Sequence, residues 1–317
     1  MVCTCGATRK RQNSHSKRNG GCGRRHAQAV PDDVLSSLSH KRKNSVAFQG
    51  ELGAFSSVAA VKFLGNAARM APCASFQKVF QALHSGEVTH AVIPIENTLH
   101  GSVHENYDHL IEYDLPIRGE TSLRISHSLI VLPGTRLKDV RQAFSHPVAL
   151  NQCRKFFERH KNIQPVSHYD TAGSVKMLVE QKPADSAAIA SENAAKIYGA
   201  AILKRNIEDD RRNFTRFFLL TKQTAPLKNA TGEWKTSIAF STPNRPGALF
   251  RTMACFALRD LNLTKIESRP LHARPWEYLF YVDITGCAED QPVQRALAHL
   301  AEITTFLKVL GSYRPSP

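Results

Sequence analysis

The chain has 317 residues, of which 42% are hydrophobic and 22% charged, and it carries a formal net charge of +15. That length supports two or three compact units, and no apolar run approaches the roughly 20 residues of a membrane-spanning helix. The charge suggests a nucleic-acid binder until it is located: residues 1–45 hold ten Lys or Arg against Asp32 and Asp33, just over half of the whole excess.

Residues 1–44 therefore read as a basic disordered tail, and nucleic acid is not the expected partner of the folded part. The scarcity of acids around Ser14 and Ser16 also fits organelle targeting. Cys3, Cys5, His15, Cys22 and His26 match no zinc-finger spacing, and the basic runs could touch RNA phosphates non-specifically. A dispensable extension is the favoured reading. The seven cysteines are odd in number and lack framework spacing, which points to reduced thiols and a cytoplasmic chain.

From Ser45 the texture changes. "SVAFQG" reads as a strand ending in glycine, and "SSVAAVKFL" has helical spacing. "HAVIPI" is a buried strand leading into Glu96-Asn97-Thr98, and "HSLIVL" is a strand closed by Pro133-Gly134. "DVRQAFSH" ends a strand before a single helix through "PVALNQCRKFFERH", and "ADSAAIAS" is a strand before a helix to Tyr198. Strands alternating with helices predict an α/β architecture with mainly parallel sheets. The elements fall into lobe one (45–121 and 205–222) and lobe two (122–204), and ligands of such two-lobed folds sit outside the carboxyl ends of the strands.

Residues 223–233 have linker composition. Residues 234–314 then follow the order β-α-β-β-α-β, around a turn near "ARP", which predicts a small ferredoxin-like unit.

Several local patterns carry chemistry. Gly50 to Gly53 lack a nucleotide fingerprint, but a turn of this kind, with Ser56, can present amides to a carboxylate at a helix start. His100, His104 and Asp108 are spaced to stack on a helix; without a further ligand, a solvated helix face is favoured over zinc. Cys153 has no evident base and reads as a packing thiol. "NFTRF", residues 213–217, reads from its residue types alone as strand.

The segments "VAFQGELGAFS", "IPIENTLHGSV", "AFSHPVALNQC", "DTAGSV", "AAIAS" and "NFTRFFLL" occur in the order found in prephenate dehydratases. Downstream, "RPGALF" and "KIESRP" resemble the phenylalanine-sensing motifs of the ACT domain attached to that family. The resemblance covers about residues 45–314 and implies a two-lobed fold like periplasmic binding proteins plus an ACT domain.

It implies decarboxylating dehydration of prephenate to phenylpyruvate, without a cofactor or a metal, and with arogenate dehydration or a non-catalytic sensor as alternatives. Thr215 would meet the departing hydroxyl. Asn97, Ser145, Gln152, Asp170 and Ser56 would line the substrate cleft, with Phe214 and Phe217 as apolar walls. Arg216 would bind a substrate carboxylate or pair internally with Asp209 or Asp210. Phe218 stands where smaller aliphatic residues are commoner, which bears on prephenate against arogenate. Pro246, Gly247, Ala248, Leu249, Glu267, Ser268 and Arg269 would bind phenylalanine as allosteric effector. The expected assembly is a homodimer through the ACT domains, with a homotetramer as the alternative, and no membrane association.

Overall fold

The computed structural model describes residues 44–222, 233–270 and 278–315. The expected tail up to residue 43, linker residues 223–232 and the turn near "ARP" lie outside the described residues.

The first lobe contains β1 (Ser45–Gln49), α1 (Phe55–Leu64), β2 (Arg69–Cys73), α2 (Phe76–Ser85), β3 (His90–Asn97), the short β4 (Gly101–Ser102), α3 (His104–Glu112) and β5 (Ile117–Arg124). The second contains β6 (Ser128–Val131), β7 (Gln142–Ser145), α4 (Pro147–Asn151), α5 (Arg154–Arg159), β8 (Gln164–Ser167), α6 (Thr171–Gln181), β9 (Ser186–Ala190), α7 (Glu192–Tyr198) and β10 (Ala201–Lys204). The chain then returns as β11 (Phe214–Thr221), giving sheet orders β2-β1-β3-β11-β5 and β10-β6-β9-β7-β8.

The sheets are mixed rather than mainly parallel. β1 runs parallel to β2 and β3, and β7 to β8 and β9, but β11 is antiparallel to β3 and β5, and β6 to β9 and β10. The physical reason is the double crossing between lobes. The chain leaves the first lobe along β5 and re-enters it along β11, so these neighbours run in opposite directions; β6 and β10 do the same in the second lobe. The expected lobe boundary at 121/122 falls inside β5, which continues to Arg124 because Phe214 pairs with it there.

The single helix expected over "PVALNQCRKFFERH" is two, α4 and α5. The Asp209 carboxylate accepts from the amides of Arg154 and Lys155, each at 3.0 Å, and caps the second piece. A cap of this kind satisfies donors that a helix start leaves unpaired. The break leaves Gln152 at the turn.

The C-terminal elements are β12 (Lys235–Thr242), α8 (Ala248–Ala257), β13 (Leu263–Pro270), β14 (Tyr278–Thr285), α9 (Gln291–Ile303) and β15 (Phe306–Tyr313), in an antiparallel sheet ordered β13-β14-β12-β15. Period-two alternation divides its side chains between two faces. Ile238, Phe240, Phe280, Val282 and Ile284 pack with α8 and α9. Ala239, Leu279, Tyr281 and Tyr313 face the other way and join one core with Ala91, Ile117, Phe218 and Leu220 of the first lobe. Burying a large side chain stabilises by about 1.5–3 kcal/mol, so this shared core ties the sheet firmly to the first lobe. The approach is close: a Cβ on Gly311 would collide with the Ile117 backbone. Among the described residues, no helix is long and apolar enough to cross a membrane.

Candidate functional site

A cleft of about 580 Å³ opens between strand ends and helix starts. The β1–α1 turn forms one edge. There Gly53 lies so close to α7 that a Cβ would sit 2.6 Å from Ala194 Cα, and Ser191 Oγ donates to the Gly53 carbonyl at 2.7 Å. A glycine is needed for that approach and for its φ of 91°. The turn delivers the start of α1 into the cleft, with Phe55 and Ser56 as lining residues. Ala54 caps α1 without a side-chain acceptor, and the Phe55 and Ser56 amides find no backbone partner among the described residues. The start of α6, at Asp170 and Thr171, also lines the cleft. Free amides and the helix dipole at such termini favour anions.

Thr215 and Asn97 are cross-strand partners on β11 and β3, and both line the cleft. Asn97 Oδ1 accepts from the backbone amides of Leu99 at 2.9 Å and His100 at 3.0 Å. The orientation of the Asn97 side chain is thereby set, because only its oxygen can accept. Its Nδ2 donates to Asn213 Oδ1 at 2.7 Å and to Thr215 Oγ1 at 2.9 Å. Thr215 Oγ1 is thus an acceptor toward Asn97, and its own hydrogen has no acceptor among the described residues. A hydroxyl that accepts one hydrogen bond is polarised to donate a second more strongly. Phe217, 2% exposed, supplies an apolar wall beside it.

A second polar chain crosses the cleft. His127 Nε2 donates to Gln152 Oε1 at 2.7 Å, and Gln152 Nε2 donates to His100 Nδ1 at 3.1 Å. Burial pulls the His127 pKa below its ordinary value, against the opposing pull of Gln152 and Glu208. That direction favours the neutral ring, and its Nδ1 has no hydrogen-bond partner among the described residues. Asp170 caps α6 by accepting from the Gly173 amide at 2.7 Å. Burial raises its pKa, while that amide acts in the lowering direction.

The expected site residues divide. Thr215, Asn97, Gln152, Asp170 and Ser56 converge on the cleft. Ser145 does not: its hydroxyl is fully buried and donates to the Ile189 carbonyl at 2.6 Å, while its neighbour His146 lines the cleft. Phe214 points away and is 41% exposed, because alternation along β11 puts Thr215 and Phe217 on the cleft side.

Arg216 is neither a cleft residue nor a partner of Asp209 or Asp210. Asp209 caps α5, Asp210 pairs with Arg212 at 2.8 Å, and Arg216 Nη2 donates to Asp283 on β14 at 2.7 Å. Burial opposes the guanidinium charge, yet the facing carboxylates, Asp283 foremost, hold its pKa above the ordinary value. Phe218 also faces the C-terminal sheet, with its ring 5.5 Å from that of Tyr313, and so does not touch the cleft. Cys153 is fully buried, and burial pushes its thiol pKa up.

The residues expected to bind an effector are also divided. Gly247, in the left-handed region at φ 74°, caps α8, with Leu249 partly exposed. Pro246 and Ala248 flank it. Glu267 and Arg269 are committed within the chain instead: Glu267 accepts from Ser102 and pairs with His104 at 3.3 Å, and Arg269 pairs with Asp108 at 2.9 Å. Alternation leaves Ser268 on the other, exposed side of β13. His104 and Asp108 therefore face β13, while His100 precedes α3 and faces Gln152, so the three do not form one stack.

Three histidines line the cleft, His100, His127 and His146, and none of them was expected as a substrate-binding residue; His100 entered only the disfavoured metal pattern. "SHP" and "SHSL" place His146 and His127 beside predicted strand ends, a positional signal that could have drawn attention to them. His100 was obscured by an expected helix that begins only at His104.

A family model described as prephenate dehydratase matches residues 46–225. Arogenate dehydratase/prephenate dehydratase 2, chloroplastic, from Arabidopsis thaliana is 43% identical over 292 residues, covering 89% of this chain and 76% of its own length. A prephenate dehydratase from Arthrobacter aurescens, solved in complex with L-Phe, aligns at 33% identity with a TM-score of 0.78, over 86% of this chain and 90% of that one. GqqA, described as a novel type of quorum quenching acylase, aligns at 34% identity with a TM-score of 0.79, over 86% and 99%. A match over most of residues 44–222, joined to strong relatives over nearly nine-tenths of the chain, settles its kinship: this chain belongs to the prephenate dehydratase family.

Proposed function

We propose that this chain converts prephenate to phenylpyruvate on the route to L-phenylalanine, with Thr215 as the hydroxyl that meets the departing group. The ring–carboxylate bond breaks, its electron pair enters the ring, and carbon dioxide leaves. The ring C–O bond then releases its hydroxyl, which gains one proton and departs as water. Aromatisation supplies the driving force; the protein's task is to stabilise charge growing on the leaving oxygen. The observation that carries this reading is the Thr215 hydroxyl, fixed as an acceptor by Asn97 and left with a hydrogen for the cleft.

No Lys or Arg lines the cleft among the described residues. Substrate carboxylates are therefore assigned to the starts of α1 and α6, where the Phe55, Ser56 and Thr171 amides and the Ser56 hydroxyl can donate. His127, Gln152 and His100 fix the opposite wall. An acylase reading is disfavoured, because Thr215 bonds to an amide rather than to a base that could activate it as a nucleophile.

Arogenate is supported as well. It differs from prephenate in carrying an α-ammonium group, and the Glu105 carboxylate lines the cleft with its side chain 57% exposed. Turnover of both substrates by one preparation tests the proposal; activity on neither would overturn it.

Phenylalanine is the proposed effector, acting at the α8 start and the exposed side of β13. Homodimerisation is assigned to the same region: β13 is an edge strand with Ile266 49% exposed, and Phe250 on α8 is 77% exposed. Unpaired edges flanked by apolar side chains invite a second copy. The working compartment is assigned to the cytoplasm, with targeting by residues 1–44 as the alternative.

A further inference from the structure

Successive cross-strand pairs on β3 and β11 face opposite sides of their sheet. Thr215 and Asn97 face the cleft. The next pair, Arg216 and Glu96, reaches the C-terminal sheet, where Arg216 meets Asp283 at 2.7 Å and Glu96 meets Lys265 at 3.0 Å. The peptide units that carry the two cleft residues are therefore gripped from behind by charges of another sheet.

The grip falls beside an irregularity of the β3–β11 ladder. The β3–β11 register shifts between Arg216 and Phe217, and the partner of Phe217 is Pro94, which has no amide to donate. On its β5 side the same segment pairs in unbroken register from Phe214 to Leu219, so the ladder holding Thr215 is loosened on the β3 side alone, the side that carries Asn97. The Arg216, Asp283 and Lys265 side chains are shielded, at 17%, 6% and 11% exposed, while Glu96 is 37% exposed. Arg216 also faces Glu120 at 3.5 Å and Glu96 at 3.8 Å, and Lys265 also meets Glu267 at 3.1 Å, so removing one partner unbalances a largely buried charge network rather than merely deleting a contact.

We propose that the Arg216–Asp283 and Glu96–Lys265 pairs position Thr215 and Asn97 for the reaction, which makes the C-terminal sheet part of the catalytic apparatus as well as a regulatory attachment. Asp283 and Lys265 are positioning residues, remote from substrate. The inference rests on the reading of Thr215 as the working hydroxyl, so its test needs one readout that does not depend on activity.

Asp283→Asn and Lys265→Gln are made in the full chain, with folding checked by thermal melting. For each we expect kcat to fall about fivefold or more while KM stays within about twofold, the signature of a lost transition-state interaction. The NMR signal of the Thr215 methyl group should shift in both. Lys265→Gln, on the edge strand, carries the test if Asp283→Asn fails to fold. Unchanged kcat with an unmoved Thr215 methyl in folded protein overturns the proposal, and so does a rise in KM alone. Retained kcat in Thr215→Val would instead refute the catalytic reading, while a methyl shift in the bridge variants would still establish the positioning.

Discussion

The side-chain amide of Asn97 donates to the hydroxyl oxygen of Thr215 across 2.9 Å, between paired residues of two neighbouring strands. Two backbone amides fix the direction of that hydrogen bond by holding the other end of the Asn97 side chain. The arrangement makes Thr215 a donor toward whatever occupies the cleft.

Reversing the polarity tests this directly. Asn97→Asp keeps the size and retains an acceptor for the two amides, but presents oxygen where nitrogen donated. The Thr215 hydrogen should then turn toward the carboxylate and away from substrate. Steady-state kinetics should show kcat lowered by about a hundredfold, the scale of a lost positioned donor. Turnover within a few per cent of wild type would show that the Asn97 contact is merely structural.

His127 gives a prediction for stability. Burial holds its folded-state pKa below the ordinary value of 6.5. As pH falls, the unfolded chain therefore takes up this proton before the folded one does. The stabilisation is complete above the unfolded pKa and is lost as pH falls through the folded one. The thermal midpoint should decline below about pH 6.5, and His127→Gln should flatten that part of the profile. An identical decline in the variant would assign it to other groups.

Substrate preference should respond to Glu105. With an α-ammonium as its partner, Glu105→Gln should lower kcat/KM for arogenate about tenfold, the scale of a charge-assisted hydrogen bond, and leave prephenate less affected or improved. Equal losses on both substrates would remove Glu105 from discrimination.

Gly247 bears on the effector. It adopts the left-handed region at φ 74°, and no described residue lies within 4 Å of where a Cβ would stand. A β-branched residue is not excluded by contacts but strains the turn by roughly 1–2 kcal/mol. Gly247→Val should distort the α8 start, weakening phenylalanine inhibition while basal turnover persists. Inhibition curves that coincide with wild type would move the effector site elsewhere.

The α/β alternation, the βαββαβ order and the strand-end location of Asn97, Asp170 and Thr215 were legible because hydrophobic period and junction position are local properties. Strand direction was not, since nothing in "NFTRFFLL" records that it returns beside β5. Arg216 was misplaced for the same reason. Its partner Asp283 is 67 residues away and belongs to a sheet whose docking face is determined by tertiary packing. Ser145 and Phe214 illustrate a finer limit. Each sits one residue from a cleft-lining neighbour, and one step along a strand reverses the face a side chain occupies.

The most direct test of the account is turnover of Thr215→Val on prephenate and on arogenate beside wild type. Valine keeps the β-branched shape at this buried strand position and deletes only the donor. The account predicts a folded protein with a near-native melting temperature and kcat reduced by about a hundredfold or more on whichever substrate wild type turns over. A well-folded variant with wild-type kcat would contradict it.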